Sequence, residues 1–63
     1  MFKKYEALSE AYETKHRLAN ESICKMIEAE TAEEIIFHEA QHEAFTKAAT
    51  AIHEQIMKEL RQL

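Results

Sequence analysis

The chain has 63 residues with no glycine, no proline and a single cysteine, Cys24, and it carries a net charge of −4 with the histidines neutral. One core of this size rarely supplies more than about 3–5 kcal/mol, and a lone cysteine excludes an intrachain disulfide, so one domain over 1–63 that leans on association or a metal is expected. The acidic, mixed-sign balance argues against non-specific nucleic-acid binding, which needs clustered Lys and Arg, and the apolar runs are too short for a bilayer.

The single cysteine and the lack of an apolar leader in Met1-Phe2-Lys3-Lys4-Tyr5-Glu6 together predict a cytoplasmic protein. Ala, Glu, Lys, Leu, Ile and Gln dominate, the residues that lose least on entering a helix, so an all-α fold is predicted. The first helix is expected over about 2–29. Tyr5, Leu8, Tyr12, His16, Ala19, Ile23, Met26 and Ile27 recur at steps of three and four, a single stripe with His16 as its polar interruption. Glu13 with Arg17 and Glu21 with Lys25 have the favourable i,i+4 order off that stripe.

The pattern then fails at Glu28, Glu30, Glu33 and Glu34. Thr31-Ala32-Glu33-Glu34 reads as a capping box, with Thr31 as N-cap and Glu34 reaching back to its N–H. A turn near 29–31 follows. The second helix, about 32–62, carries Ile35, His38, His42, Phe45, Ala49, Ile52, Ile56, Leu60 and Leu63. Folding back antiparallel about residue 30 pairs positions summing to about 61: Tyr5 with Ile56, Leu8 with Ile52, Tyr12 with Ala49, His16 with Phe45, Ala19 with His42, Ile23 with His38. The rival is one unbroken coiled-coil helix, which would put Glu30, Glu34, Gln41 and Glu59 in its seam.

A second row on helix 2, Phe37, Ala40, Ala44, Ala48 and Ala51 with Ile36 beside it, and a weaker one on helix 1, Ala7, Ala11, Leu18, Ser22 and Ala29, need further neighbours. A lone hairpin buries one stripe per helix, so a homodimeric four-helix bundle, or docking on a larger protein, is predicted. The length and hairpin pattern resemble the small plasmid RNA-binding hairpins that dimerise into four-helix bundles, a likeness of architecture with no matching functional motif.

Chemistry is written weakly. His38-Glu39-Ala40-Gln41-His42 matches the metalloprotease HExxH string, but no third ligand lies within reach: His53 would sit about 16 Å further along the axis. Glu13 before His16 and Glu39 before His42 also fit the Glu-x-x-His spacing of carboxylate-bridged di-metal bundles. That makes Glu13, His16, His38, Glu39 and His42 the ligand set of an alternative, metal-binding reading. With 12 acidic residues, all Glu, such spacings arise readily by chance, and no cofactor is predicted. Protonating a core His16, His38 or His42 would put charge into the bundle and loosen it. Cys24, on the flank of helix 1, reads as a packed, reduced thiol with no base beside it. The leading expectation is therefore a non-enzymatic interaction or regulatory module of adaptor or inhibitor type, a kind of small protein that phages and other mobile elements use. Its partner-binding row is Ile36, Phe37, Ala40, Ala44, Ala48 and Ala51.

Overall fold

A computed structural model describes residues 3–62 as two helices, α1 (Lys3–Glu28) and α2 (Ala32–Arg61), packed against each other along their length. The expected bounds hold to within a residue at each described end. Phe2, the expected first residue of helix 1, and Leu63, the last of the helix 2 stripe, lie outside the described residues. The unbroken coiled coil is excluded, because α2 returns along α1.

The reversal is made by side chains rather than by glycine, and no described residue has a positive φ. Thr31 is extended (φ −127°, ψ 156°), and its Oγ1 accepts from the N–H of Glu34 at 3.2 Å, satisfying one free donor of the first turn. The return bond of the box lands one residue early: Glu34 Oε2 accepts from the N–H of Glu30, not of Thr31, at 3.2 Å. The carboxylate thus ties down the loop amide ahead of the cap. At the end of α1, Ala29 N–H donates to Met26 O at 3.3 Å, tightening the last turn into 3₁₀ form.

The register is the expected one. His42 Nδ1–H donates to Ala19 O at 2.9 Å, Lys15 Nζ lies 5.8 Å from the Phe45 ring centre, and Lys4 Nζ pairs with Glu59 Oε1 at 2.9 Å. These pairs have numbers adding to between 60 and 63. Among the described residues the i,i+4 ion pair that forms is Arg17–Glu21 (3.8 Å), rather than Glu13–Arg17 or Glu21–Lys25.

The rotation of α1 differs from expectation. Its buried residues are Ala19 and Ser22, with Leu8, Ala11, Tyr12, Lys15, Leu18, Met26 and Ala29 half-buried, while Tyr5, His16, Ile23 and Ile27 are exposed. At 100° per residue, the buried seam lies about 60° from the large-residue stripe, midway to the small-residue row. The cause is approach distance: Ala19 and Ser22 on α1 and Ala49 on α2 carry little bulk, so axes close on those positions and bulky neighbours are pushed aside. Ser22 tolerates burial because its hydroxyl donates to Leu18 O at 3.0 Å. Lys15 enters the seam by its aliphatic stem, with its ammonium over Phe45. On α2 the expected stripe holds, with Ala49 and Ile56 buried and His38, His42, Phe45 and Ile52 half-buried; Ile35 and Leu60 stay exposed near its ends.

The resulting core is thin. Among the described residues its buried apolar members are Ala19, Ala49 and Ile56, and even Ile56 keeps 8% of its surface in contact with solvent. The hairpin measures 48 × 14 × 10 Å with a radius of gyration of 14.6 Å, against about 10.6 Å for a compact chain of this length. Its accessible surface is 5094 Å², about 900 Å² more than the roughly 4200 Å² that a compact monomer of 7.4 kDa exposes.

Candidate functional site

Two surfaces flank the seam. The first carries the small-residue row of α2. Phe37, Ala40, Ala44 and Ala51 are exposed, as is Ile36 beside them, and Ala48 turns toward α1 and is half-buried. Ile36 and Phe37 stand in the first turns of α2, at the level of Lys25 and Cys24, and are exposed because they lie off the arc that faces α1. The Phe37 ring meets His38 edge-on at 5.1 Å.

The second surface is a groove of about 390 Å³ between the helices, lined by Tyr12, His16, Ala19 and Asn20 from α1 and by His42, Thr46, Ala49, Thr50 and His53 from α2. Tyr12 sits between two histidines, with ring centres 5.7 Å from His16 and 5.8 Å from His53. Helical spacing and register assemble this set: Tyr12 and His16 are one turn apart on α1, His42 and His53 are three turns apart on α2, and antiparallel pairing brings them to one side.

The hydrogen bonds fix which atoms the groove presents. A carbonyl only accepts, so the bond from His42 to Ala19 O places the proton on Nδ1 and leaves Nε2 as the acceptor of the neutral ring. His16 Nδ1 lies 3.5 Å from Asn20 Nδ2, a donor, so its own proton belongs on Nε2. The groove therefore offers both kinds of hydrogen-bonding nitrogen.

The HExxH string does not converge as in a hydrolase. His42 is committed across the seam to Ala19, and His38 Nδ1 is buried with no hydrogen-bond partner among the described residues. Glu39 is exposed, as is Glu13. Among the described residues no three His, Cys or Glu side chains gather into a group able to hold a metal ion, although His16 and His42 do share the groove. His16 is exposed rather than in the core, because α1 is rotated away from it. Cys24, expected to be packed, is exposed for the same reason. The groove residues Asn20, Thr46 and Thr50 escaped notice because short polar side chains interrupt apolar periodicity. The signal that finds them is their position beside His16, His42 and His53 once two helices are considered together. No helix among the described residues is long and apolar enough to cross a membrane. Comparison with protein families, curated proteins and solved structures gave no match.

Proposed function

We propose that the protein is a small, non-enzymatic interaction or regulatory module, which completes its core by self-association into a four-helix bundle and acts by occupying a surface on a larger protein. The observation that carries this reading is the surplus of about 900 Å² of accessible surface on a hairpin whose buried apolar side chains, among the described residues, are two alanines and one isoleucine. That surplus matches the roughly 800 Å² which each partner gives to a standard protein–protein interface. The exposed row of Ile36, Phe37, Ala40, Ala44 and Ala51 then serves the larger partner: two bulky anchors lead a run of alanines, which suits laying a helix face into an apolar groove. The acidic surface and the absence of a basic stripe favour a protein target over RNA.

Two measurements test this. Sedimentation across a hundredfold concentration range is expected to give a particle of about 15 kDa, two chains of 7.4 kDa. Affinity capture from the protein's own host is expected to retain a defined partner that Phe37→Ala with Ile36→Asp releases. A well-folded monomer at every concentration, together with no captured partner, would refute the proposal.

A further inference from the structure

We infer that a second copy of this chain docks on the face bearing the histidine groove, antiparallel, so that the turn of each hairpin lies over the open end of the other. This rests on the self-association proposed above and assigns it a surface and a direction.

The first support is where the exposed apolar side chains lie. Of the eight large ones among the described residues, six occupy this face: Tyr5, Ile23, Ile27, Ile35, Met57 and Leu60. Each stands seven residues, two helical turns, from a groove-lining residue: Tyr5 from Tyr12, Ile23 from His16, Ile27 from Asn20, Ile35 from His42, Met57 from Thr50 and Leu60 from His53. A seven-residue step returns a side chain to within about 20° of the same direction. The groove is thus the middle of a longer surface with an apolar cluster at each end, and Ile27 leaves 79% of its surface bare there. The opposite face presents mainly alanines, which bury far less apolar area per residue.

The occupant is indicated by charge and area. At the open end Lys3, Lys4, Lys58 and Arg61 outnumber Glu6 and Glu59; at the turn Glu28, Glu30, Glu33 and Glu34 outnumber Lys25. An antiparallel copy sets the acidic turn against the basic open end twice over, while a parallel copy opposes like with like. The surplus of about 900 Å² is what one side of such an interface removes from water. At the centre groove meets groove, where His42 Nε2, Tyr12 and the Thr46 and Thr50 hydroxyls supply donors and acceptors to each other's copies.

Direction is read by distance. Spin labels on Gln62→Cys in a Cys24→Ser background are expected about 40–50 Å apart in the dimer, close to the 48 Å length of the hairpin. A separation of about 20 Å, the width of a bundle, would overturn the antiparallel arrangement. The face is read by charge insertion. Ile23→Glu and Met57→Glu are each expected to raise the dimer dissociation constant more than about a hundredfold, while Ala44→Glu on the opposite face leaves it unchanged. The reverse ranking would overturn the inference and leave self-association standing; a folded monomer from the unaltered chain would remove both. Should the charged variants unfold on dissociating, labels read the face in the folded dimer: the Thr46→Cys pair on the groove side is expected closer together than the Ala44→Cys pair on the opposite side, and the reverse order would overturn the inference.

Discussion

His42 shows how one side chain can link two helices. Its Nδ1–H crosses the seam to a carbonyl already bonded within α1, so the imidazole pins the register at the level of the buried Ala19. Replacing His42 with Ala removes the cross-helix bond from a half-buried site, and urea unfolding is expected to show a loss of about 1–2 kcal/mol. His16→Ala, at an exposed position on the same groove, is expected to change stability by less than about 0.5 kcal/mol. Equal losses for the two would contradict the rotation of α1. Register alone put His42 opposite Ala19, since positions adding to about 61 must meet. The same reasoning put His16 against Phe45 and erred: the residue at that level facing Phe45 is Lys15, whose long stem fills the seam while its charge stays near the edge. Iron, manganese and zinc titrations are expected to give no stoichiometric binding, and saturation at one ion per chain or per dimer would restore the metal-binding reading of Glu13, His16, His38, Glu39 and His42.

At the scale of the element, the turn was the most legible feature. A chain without glycine or proline can still reverse where a threonine caps a helix and acidic residues crowd its positive end, and Thr31 with Glu33 and Glu34 does this. Thr31→Ala is expected to cost about 1 kcal/mol of unfolding free energy, measured by denaturant titration, with both helices still formed. The seam is more sensitive. Ala49→Leu inserts bulk at a buried position of the seam, and a loss of about 1–3 kcal/mol is expected by the same measurement. An increase in stability would mean that the helices have room to part and that close approach does not set the rotation of α1. The α2 stripe was read correctly because its small and large residues fall along one line. On α1 they fall along two lines about 110° apart, and apolar periodicity favoured the bulkier one.

At the scale of the molecule, a hairpin 48 Å long and two helices thick has too little interior to protect its apolar side chains. Its stability is therefore expected to depend on protomer concentration: the thermal midpoint should rise by several degrees for each tenfold increase in protein, as mass action requires of a folded dimer. A midpoint independent of concentration would indicate a self-sufficient monomer. Composition, capping chemistry and register were all set by local rules, so the sequence by itself determined two helices, the place of the turn and which levels of the two helices meet. It could not determine which arc of α1 is buried. That depends on how closely two helical surfaces can approach, a property of the pair, and Ala19, Ser22 and Ala49 outcompete larger but bulkier apolar neighbours for the seam. Only the tertiary structure decided that Tyr5, Ile23 and Ile27 are left bare beside a histidine groove, because packing two helices on their smallest residues displaces the largest to one side.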